Sequence, residues 1–159
     1  MAETKSTDFK SLLKSLEENL DEYLGKKAPP LPGNWKEFLV KIAPYLAIIG
    51  VILGVPGILA LLGLSTFVVP LGTLGGIVSG RPFLGVGYLI NVLFLGAVVV
   101  LEALSISPLF KRAKTGWNYM YYATLLGAVQ NIINFNVGGL VIGTLLSLYL
   151  LFQVRPLYK

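Results

Sequence analysis

The chain has 159 residues, 55% of them hydrophobic and only 13% charged, with a mean hydropathy of +0.74. A soluble domain carries about 25% charged residues, so most of this sequence is suited to lipid rather than water. There is no Cys and no His, which removes disulfides, thiolate nucleophiles, haem-type ligation and the usual zinc sites. Seven of the eight acids precede residue 38, so an all-oxygen metal site is not expected either, and no metal or cofactor is assigned. The net charge of +5 could point to nucleic acid. The basic residues, however, sit in short segments flanking apolar runs, as the positive-inside rule arranges them. The expected partner is the lipid bilayer, not nucleic acid.

Residues 1–7 are polar and are expected to fray. Over 8–24, Phe9, Leu12, Leu13, Leu16, Leu20, Tyr23 and Leu24 recur at the three-to-four spacing of one helix stripe. Thr7 or Asp8 can accept an orphan N–H as N-cap, Gly25 is placed to stop the helix, and Lys26 and Lys27 suit its negative end. Residues 1–27 therefore read as a cytoplasmic amphipathic helical segment. Residues 28–38 read as a linker stiffened by Pro29, Pro30 and Pro32, leading into an interfacial anchor of Trp35 and Phe38 beside Lys36 and Lys41. The first apolar run begins near residue 42, too late for a cleavable signal peptide, so the first span is expected to act as its own insertion signal.

The remainder, 39–159, predicts an all-α bundle of four transmembrane helices. Residues 42–80 carry no charge, and since about 20 helical residues cross the hydrocarbon core, the first helix is placed at 42–64, kinked at Pro56. Pro70, Gly72, Gly75, Gly76, Gly80 and Pro82 interrupt the next stretch, so 65–82 reads as an external or re-entrant loop, with a fifth span as the alternative. The second helix is placed at 83–107, closed by Ser107-Pro108, and a basic loop with Lys111, Arg112 and Lys114 comes after it. Residues 115–154 are again uncharged and too long for one crossing, so a turn is expected at Asn134–Gly139, giving helices at 116–134 and 138–154. Four spans gather Lys36, Lys41, Lys111, Arg112, Lys114, Arg155 and Lys159 on one side and leave Arg81 alone on the other. Both termini are thereby assigned to the cytoplasm, of a plasma or bacterial inner membrane.

Glu102 is the only acid inside an apolar run. A charge within the membrane faces a bundle interior or water, as a relay or counter-charge, or else it snorkels to the interface, pairs with Lys111 or Arg112, or is protonated and hydrogen-bonded. Counting back equally from the 108–115 loop puts it level with Tyr121, Tyr122 and Thr124, from which a hydroxyl could donate to it, and puts Asn91 level with Gln130 and Asn131. The third helix, with Asn118 and Tyr119 besides these, is either a polar cleft or an aromatic belt around Trp117 with amides clamping helices. Small residues mark packing faces: Ala47, Gly50, Gly54 and Gly57 in the first helix, and Gly139, Gly143 and Ser147 in the fourth. The glycine-rich pieces lack the Lys-Ser/Thr of a phosphate-binding loop.

With one intramembrane acid and no His or Cys, no carboxylate pair exists, and an enzyme is not expected. The favoured role is a non-enzymatic scaffold, assembly or accessory subunit. It would use residues 1–27 to contact a protein partner or a second copy, because Glu17, Glu18, Asp21 and Glu22 make the polar face of that helix acidic and unsuited to anionic lipid. The alternative is an oligomeric small-solute or ion transporter or channel with Glu102 as its polar site.

Overall fold

The computed structural model describes residues 2–61 and 86–159; the expected 65–82 loop, with its fifth-span alternative, lies outside them. Helix α1 runs Ala2–Leu20 and continues, as a wider π-helical segment, through Asp21–Lys27. It begins well before Thr7 and Asp8, so neither residue caps it and the first residues are helical rather than frayed. The wider winding has a local reason. A residue and its fifth neighbour then share a face, which brings Lys27 onto Glu22 at 2.7 Å and Lys26 onto Asp21 at 3.6 Å. The segment ends at Ala28, in an extended conformation, whose N–H donates to the Tyr23 carbonyl at 2.9 Å. Gly25 is inside the last turn and does not terminate it.

The extended linker is shorter than the prolines suggest. The Pro32 carbonyl already accepts from the N–H groups of Trp35 and Lys36 at 3.0 and 3.1 Å, and α2 runs Gly33–Leu61 without ending at Pro44 or Pro56. Trp35 and Phe38 thus belong to the first turns of α2, as an exposed edge-to-face ring pair. Helix α3 runs Val86–Phe110. It does not stop at Ser107: Pro108 lies in its last turn, where the loss of one ladder donor is outweighed by the insertion of Leu109, 2% exposed, into the core. Helix α4 runs Lys114–Ile133. After a turn, α5 comprises a π-helical Gly139–Leu145 and an α-helical Leu146–Val154, closed by a 3-10 turn over Arg155–Leu157. In the α4–α5 turn the left-handed residue is Phe135 (φ 52°), not one of the expected Asn or Gly residues.

Helices α2 to α5 form an antiparallel up-down bundle in which each neighbours the next and α5 returns beside α2. The core gathers at the end where α2 begins and α5 finishes. There Trp117 stacks on Tyr121 at 5.3 Å, and Phe152 meets both rings edge-on. Trp117 is fully buried, with its indole N–H donated to the Leu151 carbonyl at 2.7 Å. It is a core residue, not part of an interfacial belt.

The outer surface is apolar: Ile49, Ile52 and Leu53 on α2, Leu93, Val100 and Leu104 on α3, and Val141, Ile142 and Leu145 on α5 all point outward. A helix that is apolar all round belongs in lipid. Three helical stretches are long and apolar enough to cross a membrane: Gly33–Leu59, Ile90–Phe110 and Gly139–Leu157. This marks a membrane protein with three such helices among the described residues, one fewer than the four expected. Helix α4 has 20 residues, about 30 Å, and so has the length of a span, but its tyrosines and amides dilute its apolar character.

Two glycines of α4 test this packing. A Cβ on Gly116 would lie 2.7 Å from the Leu109 backbone nitrogen and 3.0 Å from the Pro108 carbonyl carbon, whereas one on Gly127 would meet nothing within 4 Å. Gly116→Ala is expected to cost about 1–3 kcal/mol as α3 and α4 are forced apart. Gly127→Ala is expected to be neutral or to stabilise by roughly 0.5–1 kcal/mol. Thermal unfolding of the two variants in detergent checks this, and equal melting temperatures would contradict the close α3–α4 crossing.

Candidate functional site

The stripe on α2 brings α3 into close contact. Gly57 faces Leu95, Gly54 receives the Val99 side chain, and the Glu102 carboxylate lies on Gly50, where a Cβ would be only 2.5 Å from Oε2. The Gly50 and Gly54 packing positions therefore hold α3 against α2. Glu102 is half-buried, and its carboxylate has no hydrogen bond or ion pair among the described residues. The expected tyrosine donor is turned elsewhere. Tyr121 is committed to the aromatic core and its buried hydroxyl has no partner among the described residues. Tyr122 is exposed, and Thr124 Oγ1 donates back to the Met120 carbonyl at 2.8 Å. Arg112, a candidate counter-charge, instead makes a two-pronged contact with Glu37 at 2.8 and 3.3 Å.

Glu102 and Thr124 do share a cavity of about 340 Å³ between α2, α3, α4 and α5, together with Asn131, Thr144 and Ser147. Gly143 also lines it, with nothing within 4 Å of an added Cβ. The Gly143–Ser147 face of α5 is thus a cavity wall rather than the helix-packing face expected from its spacing. Gly139 is tight, but against the Asn131 and Asn136 amides. Asn136 accepts from the Gly139 N–H at 2.9 Å and donates to Asn131 Oδ1 at 3.2 Å, which caps α5 and removes Asn131 from the expected Asn91 pairing. Asn91 Oδ1 accepts from Gln130 at 3.1 Å and from Asn134 at 2.9 Å, so amides tie α3 to α4 at this end.

At the opposite end α1 and the linker are clamped to α5. Gln153, 1% exposed, donates through Nε2 to the Leu24 carbonyl at 2.8 Å and accepts from the Leu31 N–H at 3.1 Å. The Tyr149 hydroxyl donates to the Pro29 carbonyl at 2.6 Å. Arg155 pairs with Glu17 and with Asp21, the latter at 2.9 Å, and lies over the Trp117 ring, 5.2 Å from its centroid. Leu20 and Leu24 pack on the core, while Phe9, Leu12 and Leu16 remain exposed. The hydrogen bond and charge of Lys27 hold the Glu22 carboxyl below its usual range. Burial pushes the Tyr158 hydroxyl up to about 12 against the opposing pull of Arg112.

The chain matches no family model, no curated protein and no solved structure. These side chains alone therefore carry the functional reading. Glu102 stood out in the sequence as a lone acid in an apolar run, though not the cavity it lines, and the clamp did not stand out, because Gln153 sits one residue from the end of an uncharged run and reads as an ordinary helix-end residue. Among the described residues no group of three His, Cys, Asp or Glu could hold a metal.

Replacing Gln153 with Leu removes both bonds and strands the Leu24 carbonyl and the Leu31 N–H, at a cost of about 1–3 kcal/mol. Gln153→Leu is expected to speed trypsin cleavage after Lys26 and Lys27 while Asn91→Leu, at the far end, leaves that rate unchanged. Equal cleavage of both variants would show that the amide does not hold the strap.

Proposed function

We propose that the chain is a non-enzymatic scaffold or accessory subunit of a membrane assembly. In this reading α2 to α5 all span the membrane, α4 being carried by its neighbours, and both termini face the cytoplasm. The charge pattern supports that orientation. Glu37–Arg112, Arg155 with Glu17 and Asp21, Lys114 and Lys159 share one end of the bundle, and an excess of Lys and Arg near a membrane surface favours the cytoplasmic side.

One observation carries the role. Helix α1 is held by its C-terminal part, through Leu20, Leu24, Glu17 and Asp21, while Phe9 and Leu12 on its free part are 63% and 67% exposed. A docked helix with a bare apolar stripe is the arrangement by which a helix is offered to a groove or to another helix. The outward face around Glu18 and Glu22 is already paired within the helix, by Lys14 at 3.9 Å and Lys27 at 2.7 Å, which leaves little to attract anionic lipid. A photo-crosslinking amino acid placed at Leu12 in living cells is expected to give one discrete protein adduct, lost in Phe9→Asp or Leu16→Asp while the bundle melts unchanged. Adducts to lipid alone would overturn the scaffold reading.

A second reading, a small oligomeric transporter or channel, is supported by the Glu102 carboxylate, which lines a cavity within the bundle and has no partner among the described residues. Purified protein in liposomes would then carry a flux that Glu102→Gln abolishes. A flux that survives this substitution removes Glu102 from any such path.

A further inference from the structure

We infer that the cavity between α2, α3, α4 and α5 is a binding site for a single lipophilic monocation, a quaternary or protonated amine with an apolar body, held by the Glu102 carboxylate. This goes beyond the scaffold reading and names a cargo class for the transport reading. It rests on the latter for its position only, since a bound cation requires no movement across the membrane.

Charge is the first selector. A carboxylate in a low-dielectric interior is costly unless it is paired. The two arginines at the bundle's charged end are held by other acids, Arg112 by Glu37 and Arg155 by Glu17 and Asp21. Among the described residues no Lys or Arg lines the cavity. An ionised Glu102 would repel an anionic ligand and pair with a cationic one.

Size and wall chemistry narrow the choice. At about 340 Å³ the space falls in the range of small-molecule sites, roughly 300–1,000 Å³. It is far larger than a bare ion needs, and one carboxylate with a few hydroxyls and an amide falls short of the six to eight oxygens that a hard divalent cation takes. The walls are otherwise aliphatic, with Leu39 and Leu46 from α2 and Leu150 and Leu151 from α5. Such walls suit the hydrocarbon body of an amine rather than its water shell. The hydroxyls of Thr144 and Ser147, on the same wall, make no hydrogen bond among the described residues.

The space is kept open by missing side chains. Gly127 and Gly143 line it from α4 and α5, and an added Cβ at either would meet nothing within 4 Å. Larger side chains at these points would enter the cavity without disturbing Glu102, which allows volume and charge to be varied separately.

The test is equilibrium dialysis of radiolabelled tetrabutylammonium against the full-length protein in a non-ionic maltoside, with Glu102→Gln, Gly127→Leu and Gly143→Leu as variants and thermal unfolding as a folding control. The expected result is one saturable site per chain, weakened about tenfold or more both by Glu102→Gln and by whichever leucine variant retains the wild-type melting temperature. Absence of saturable binding to the wild type overturns the site. Binding lost with the leucine variants but unchanged in Glu102→Gln overturns the cation, leaving a cavity that takes apolar bodies whatever their charge. Binding lost in Glu102→Gln but unchanged in a folded leucine variant overturns the location. Flux is measured separately, so binding without transport sinks the transport reading and leaves the site standing.

Discussion

Everything at the charged end of the molecule depends on how the Arg155 guanidinium is satisfied. It lies against the Trp117 ring and is neutralised by Glu17 and Asp21, which arrive from the other end of the chain. Arginine suits such a place because its planar, weakly hydrated head can stack and accept two carboxylates at once. Because the partners are only about a quarter exposed, solvent screens them less than it screens the open Lys14–Glu18 pair. Gln153, close by on the same helix end, completes the junction by bonding backbone groups of the strap that would otherwise lie buried and unpaired. Cation stacking, ion pairing and amide bonding thus converge on the last turns of α5, and α1 is held there without burying its whole apolar stripe.

The rest of the bundle obeys the demands of lipid. Backbone groups are satisfied within helices, small residues let α2 and α3 approach, and polar side chains are concentrated where they can meet one another. The two ends solve this differently. The end with Asn91, Gln130 and Asn134 uses neutral amides, while the end with Arg112, Arg155 and Lys159 uses ions and terminal backbone bonds, the Lys159 N–H to Arg112 and the Lys114 N–H to Lys159. Between them lies Glu102, the one ionisable group for which the chain provides a notch, on Gly50, but no partner among the described residues.

How much of this was legible in the sequence depends on the kind of information involved. Helix existence was legible, because uncharged runs interrupted by basic loops have few other solutions in lipid. Helix ends were less so. Ser107-Pro108 looked like a stop, yet burial of Leu109 carried α3 through the proline, and the proline-rich 28–38 shrank to a short strap once Pro32 began α2. Level along the paired helices was legible as well: counting from the shared loop placed Asn91 beside Gln130, and the bond is there. Rotation about the helix axis was not. Tyr121 is level with Glu102 but turned into the aromatic core, whereas Thr124, three positions on, lines the shared cavity. The same ambiguity misread Gly143 and Ser147, since a small-residue stripe looks alike whether a helix or a void lies against it.

The clamp also has a consequence in time. Glu17 and Arg155 are 138 positions apart, and local structure forms long before such distant partners can meet. During synthesis the N-terminal helix emerges first, with Leu20 and Leu24 uncovered and two carboxylates uncompensated, and it stays so until the last turn of α5 is in place. Closure of the strap therefore has to wait until Arg155 has been made. A chain interrupted before Arg155 would leave that apolar, acidic surface bare, a feature that sets it apart from one in which the strap has closed.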